Sequence, residues 1–131
     1  MTKVYIAGPM TGMEDWNFPA FFDAEKTLVS LGYEVVNPAH NNGDTLELAL
    51  EDAGSPDSPK RDWLYYIRRD LPQLLYCDVI CLLPNWELSK GANLEYEVAK
   101  GIGLPVLKLV NGKLESHDGA RTRDSFLRSL H

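Results

Sequence analysis

Three short apolar runs constrain this chain more than any other feature: "KVYIAG" at 3–8, "DVICLLP" at 78–84 and "LPVLKLV" at 104–110. Each is apolar at consecutive positions and ends or begins at glycine or proline, the pattern of a strand covered on both faces in a parallel sheet. A fourth run, "YEVVNP" at 33–38, has the same character. Between the runs, apolar residues recur at helical spacing. Phe21, Ala24, Leu28 and Leu31 form one such set, and Trp63, Leu64, Ile67, Leu71 and Leu74 form another. Ala92, Leu94, Val98, Ala99 and Ile102 form the third. Strands alternating with helices predict an α/β, doubly wound, mostly parallel sheet of four to five strands with helices on both faces.

At 131 residues and 44% hydrophobic content, the chain can bury a core, and no internal repeat or composition shift divides residues 1–131 into more than one domain. No apolar run approaches the roughly 18 residues that span a bilayer, which predicts no membrane partner. The opening "MTKVYIAGPM" has one basic residue and only a brief apolar stretch, unlike a signal peptide, so a cytoplasmic protein is expected. A net charge of -6 without a basic stripe argues against a nucleic-acid polymer as partner. Cys77 and Cys81 flank an apolar strand and are expected as buried thiols, while His40, His117 and His131 lack metal-ligand spacing. No metal or cofactor is expected, and "GPMTG" differs from the usual phosphate-binding glycine loops.

Residues 37–60 are rich in Asn, Asp, Gly, Ser and Pro and are expected as a long functional connection, with one short helix around Thr45 to Asp52. Asn17 is placed to cap the first helix and Gly32 to end it. A helix is expected over 61–76, kinked at Pro72, and a polar tail from about 111 with a last helix at 121–130.

In such a sheet, ligands bind outside the carboxyl ends of the strands. Glu95 falls on the apolar face of the helix that begins near Ser89, where an unpartnered carboxylate is costly to bury. Placed in the first turn, it is expected to be held ionised by the helix dipole. Asp70 lies at the edge of the apolar sector of its own helix. Two carboxylates at one crevice suit acid and nucleophile roles at an anomeric carbon. Other uses are open: Glu95 as a cap of backbone amides, and Asp70 as partner of Arg68, Arg69 or another cation. Tyr5 can orient Glu95 through its hydroxyl or fill the core. Ser89 and the amides from Gly91 to Asn93 form either an anion site or an ordinary serine cap. Trp86 is placed to stack on a base or to pack as a lid.

The ordered set "VYIAGPMTG", "RRDLPQLLYCDVICLLP" and "WELSKGANLEYEVA", spread over residues 3 to 110, resembles the nucleoside 2-deoxyribosyltransferase superfamily. More narrowly, it resembles the short phage and bacterial members grouped as DUF4406. The resemblance implies a flavodoxin- or Rossmann-like domain and cleavage of the base–sugar bond of a nucleoside or nucleoside 5′-monophosphate. It implies a covalent glutamyl-glycosyl intermediate resolved by water or another base. It maps the nucleophile onto Glu95, a proton donor or relay onto Asp70 and a supporting tyrosine onto Tyr5. From their places at the sheet's carboxyl end, Gly8, Pro9 and Met10 in the first loop, and Trp86, Ser89, Gly91 and Asn93 around the opening of the third helical segment, are expected to contact substrate. Ser89 matches the monophosphate hydrolases, whereas base-exchanging transferases carry aspartate there. Pro9, Met10 and Thr11 depart from the serine and arginine with which the hydrolases bind phosphate, leaving Lys90 or Arg68 for that task. A homo-oligomer, dimer or larger, is also implied. Two further readings are an NAD-type glycohydrolase and a non-catalytic nucleotide-binding module.

Overall fold

The computed structural model describes residues 1–56 and 63–117. Five strands form one sheet in the order β2-β1-β3-β4-β5. They are β1 (Lys3–Ala7), β2 (Glu34–Val36), β3 (Val79–Leu82), β4 (Val106–Val110) and β5 (Lys113–Ser116). The first four are parallel, with Tyr5 opposite Val36 on one side and Ile80 on the other. The fifth runs antiparallel to β4. Among the described residues, four helices connect them: α1 (Phe18–Ser30), α2 (Leu46–Gly54), α3 (Trp63–Leu75) and α4 (Lys90–Gly101). This is the doubly wound α/β sheet expected from the sequence.

Side chains alternate across β1, so Val4 and Ile6 join Phe18, Phe21, Ala24 and Leu28 of α1 and Ala49 of α2 in one core. Tyr5 and Ala7 face the opposite way and join Leu74 of α3 and Ala92 and Ala99 of α4. The chain leaves β1 toward β2 but leaves β3 toward β4, so the strand order reverses between β1 and β3. A crevice outside the carboxyl ends of the strands is expected at that reversal.

The ends of α1 show how local chemistry sets these elements. Pro19 sits in the first turn, where a missing amide hydrogen costs nothing. At the other end Gly32 takes φ +94°, letting its amide bond Val29 O and the Tyr33 amide bond Leu28 O, at 3.0 and 3.1 Å. Asn17 precedes the helix, but its side chain makes no capping bond. It belongs instead to a left-handed run, Asp15, Trp16 and Asn17, with φ of 52°, 54° and 58°.

The segment after 36 holds a short turn at Pro38–Asn41 and then α2, the short helix expected there, whose cap is Thr45, with its hydroxyl accepting from the Leu48 amide at 3.2 Å. Pro72 lies inside α3, as expected. Residues 111–116 are not a tail: Asn111 and Gly112, at φ 51° and 76°, turn the chain into β5. The start of the helix expected at 61 and the one expected at 121–130 fall outside the described residues. Cys77 and Cys81 are buried free thiols, pushed up to about 11 and about 12 by burial. Among the described residues, no helix is long and apolar enough to cross a membrane, and no group of three or more His, Cys, Asp or Glu could hold a metal ion.

Candidate active site

A cleft opens beside the carboxyl end of β1, between the two helical layers. Tyr5, Ile6 and Gly8 form its floor, with Met10 and Thr11 from the following loop. Trp16, Phe18 and Phe21 line it from the α1 side, Trp63, Tyr66, Ile67 and Asp70 from α3, and Ser89, Gly91, Ala92 and Glu95 from α4. Gly8 is needed for this geometry. A Cβ there would stand 2.9 Å from Leu83 Cβ, so the loops leaving β1 and β3 can approach only because it is absent.

Tyr5 and Glu95 meet because of the alternation in β1 and the register of α4. Tyr5, fully buried, points toward the α3 and α4 layer, and Glu95 lies on the inward face of α4 with Ala92 and Ala99. The Tyr5 hydroxyl donates a hydrogen bond to Glu95 Oε2. The helix begins at Lys90 with Ser89 as cap, its hydroxyl accepting from the Ala92 amide at 3.1 Å. Glu95 is therefore in the second turn, not the first, and the helix dipole does not hold it ionised. Burial dominates and pushes its carboxyl up to about 8; the Tyr5 hydrogen bond opposes this and the negative Asp70 adds to it. The direction of the shift favours the protonated form at rest. Tyr5 itself is raised well above its ordinary value, by burial first and then by Glu95 and Asp70.

Asp70 lines the same cleft and is 8% exposed. It is also the partner of Arg69, whose Nε donates to Oδ1 at 2.6 Å, and of Asn41, whose amide donates to the same oxygen at 3.2 Å. Burial lifts its carboxyl, and Arg69 and Asn41 restrain the lift. The loop that supplies Asn41 is pinned to both layers. Asn37 and His40 both bond Glu25 Oε1 of α1, at 3.1 and 2.7 Å, and Asn41 exchanges amide hydrogen bonds with Gln73 of α3.

Of the residues singled out from sequence, Tyr5, Gly8, Met10, Asp70, Ser89, Gly91 and Glu95 come together at the cleft. Pro9, Trp86 and Asn93 are not among the residues lining it. Trp86 packs against Tyr96 and His117, with ring centroids 4.8 and 5.4 Å away. The Asn93 amide is spent on the backbone oxygens of Glu87 and Ser89, at 2.9 and 2.8 Å, which braces the loop entering α4. Arg69 holds Asp70 as one of the open readings allowed, whereas Trp16, Asn41 and Asn42 were not singled out. Their only signal is position, in loops or helix turns that follow β1 and β2.

A family model described as a domain of unknown function (DUF4406) matches residues 2–108. The chain belongs to this family. Two solved structures share its fold. One is a 2-deoxyribosyltransferase from the psychrotolerant bacterium Bacillus psychrosaccharolyticus, at TM-score 0.56 and 23% identity over 82% of this chain and 72% of that one. The other is a conserved protein from Enterococcus faecalis V583, at TM-score 0.56 and 21% identity over 99% of this chain and 74% of that one. No curated protein matches. The family member described here thus has a nucleoside 2-deoxyribosyltransferase-like fold.

Proposed function

We propose that this chain is an N-glycosidase that cleaves the base–sugar bond of a nucleoside or nucleoside 5′-monophosphate and passes the sugar to water or another base. The observation that carries the proposal is the meeting of Tyr5, Glu95 and Asp70 in one largely apolar cleft, with the Tyr5 hydroxyl donating to Glu95. A buried glutamate at the carboxyl end of a parallel sheet has no structural need to be there, and its burial is costly. Aromatic side chains on both sides of the cleft, Trp16 and Phe18 facing the layer of Trp63 and Tyr66, suit a flat base.

In this mechanism Glu95 attacks C1′ as the base departs, forming a glycosyl ester. The Tyr5 hydroxyl orients the attacking carboxyl, and Asp70 supplies or relays the proton that the base nitrogen needs. Water or a second base then displaces Glu95. Among the described residues, the cleft lining has no Lys or Arg. Lys90, whose ammonium stands 4.1 Å from the Trp63 ring centroid, is the cation a monophosphate would use. Exposed Leu64, Leu75 and Tyr76 on and after α3 fit a homo-oligomer.

The test is chromatographic detection of free base from a panel of nucleosides, 5′-monophosphates and NAD, with and without an added acceptor base. Base release by the wild type and none by Glu95→Gln supports the proposal. Release of nicotinamide alone would favour an NAD-type glycohydrolase. Tight binding with no product over long incubation would favour a nucleotide-binding module.

A further inference from the structure

We propose that Arg69 is a positioning residue: its guanidinium fixes Asp70 as an oriented anion beside Glu95, so that Asp70 carries the proton of Glu95 to the departing base. The inference rests on the N-glycosidase reading. Arg69 holds Asp70 by two points, Nε to Oδ1 at 2.6 Å and Nη2 to Oδ2 at 3.4 Å, so the carboxylate plane follows the guanidinium plane. The guanidinium is itself fixed. Its Nη1 donates to Asn42 Oδ1 at 3.2 Å, its carbon lies 5.1 Å from the Tyr66 ring centroid, and the side chain is only 14% exposed. Asn42 is held in turn by Asp52 of α2 at 2.9 Å. A surface ion pair has none of this support.

Among the described residues, the groups around the two carboxyls are few. β1 contributes Tyr5; α3 contributes Arg69, Asp70 and Tyr66; α4 contributes Glu95. The loop after β2 contributes the neutral amides Asn41 and Asn42, the loop after β1 the non-titrating Met10 and Thr11, and α1 only Phe18 and Phe21. Within this set, burial raises the Glu95 carboxyl to about 8, whereas Arg69 and Asn41 oppose the same effect at Asp70. On this proposal the pair shares one proton at rest.

One proton is what the chemistry requires. In the first step the proton passes from Glu95 to Asp70 and on to the base nitrogen. A freed Glu95 oxygen bonds C1′ while the C1′–N bond breaks, its electron pair staying with the protonated base. In the second step a water oxygen bonds C1′, and the C1′–O bond to Glu95 breaks with its pair returning to the carboxylate. The proton from that water returns through Asp70 to Glu95. The sugar hydroxyl and the resting acid are both regenerated, and no outside acid or base is consumed.

Two measurements test this. Carbon-13 carboxyl NMR titration of the free protein, without substrate, should place the Asp70 midpoint below that of Glu95. Arg69→Met should move the Asp70 midpoint to higher pH, Arg69→Lys should move it less, and Asp70→Asn should lower the Glu95 midpoint. The pH profile of kcat/KM for base release should be bell-shaped, falling above about pH 8. Arg69→Met should shift its acidic limb upward. An Asp70 midpoint unmoved by both Arg69 variants, or a wild-type rate that rises through pH 8, would overturn the proposal. If Asp70 follows Arg69 in the titration but no substrate releases base, the glycosidase reading and its proton transfer fail, while the hold of Arg69 on Asp70 stands.

Discussion

Replacing Glu95 by glutamine should stabilise the folded protein, and increasingly so as pH rises. Below its unfolded value of 4.5 the carboxyl is protonated in both states and costs nothing. Between 4.5 and about 8 only the folded state carries the proton, so stability falls with rising pH; above about 8 the loss is complete. At about 1.4 kcal/mol per pH unit, the cost is roughly 3 kcal/mol at pH 7 and roughly 5 kcal/mol at pH 9. Against a typical domain stability of about 5 to 15 kcal/mol, that is a large fraction. Glutamine has the same shape, no proton to hold, and a carbonyl that still accepts from Tyr5. Urea denaturation of wild type and Glu95→Gln at pH 5, 7 and 9 should therefore show a gap that widens by roughly 4 kcal/mol over the range. A constant offset from the new amide leaves that widening intact. Parallel pH dependences would refute the reasoning, because they would mean that the resting carboxyl is not held protonated. An inactive variant that is more stable than its parent would mark Glu95 as retained for chemistry and not for folding.

Tyr5→Phe removes the donor to Glu95 Oε2; turnover in the base-release assay should fall about ten- to a hundredfold, the worth of a hydrogen bond to a charged group. Because that bond lowers the Glu95 value, the midpoint of Glu95 seen by NMR should rise further in this variant. Gly8→Ala places a Cβ 2.9 Å from Leu83 Cβ and should cost about 1 to 3 kcal/mol in urea denaturation, with loss of activity as the loops after β1 and β3 separate. Leu28→Ala, at a fully buried position that does not line the cleft, should cost about 2 to 5 kcal/mol yet leave turnover per folded molecule unchanged.

The layers of this fold follow from the strand runs alone, since four short apolar stretches separated by helical periods admit few arrangements. The antiparallel β5 was hidden because "KLES" is short and polar, although the Asn111-Gly112 pair before it is a strong hairpin signal. At the site, Tyr5 and Glu95 could be paired from sequence because both lie on regular elements whose facing residues are set by period. Trp86 and Asn93 were misplaced relative to the cleft for the opposite reason. They sit at a loop and a helix start, where a one-residue change in the cap turns a side chain away. The place of Glu95 was misjudged through the same boundary: one turn of helix separates a carboxylate near the dipole from one whose carboxyl burial raises. The pairing of Asp70 with Arg69 was one of the open readings, but the sequence could not choose Arg69 over Arg68, because neighbours on a helix ordinarily point apart.

The most direct test of the central claim is intact-mass spectrometry of the protein, quenched rapidly in acid during turnover of a nucleoside that it cleaves. The account predicts a covalent adduct with the mass of the sugar less the departed base, located by peptide mapping to the segment with Glu95 and absent from Glu95→Gln. Base release with no adduct, and with turnover retained in Glu95→Gln, would contradict it.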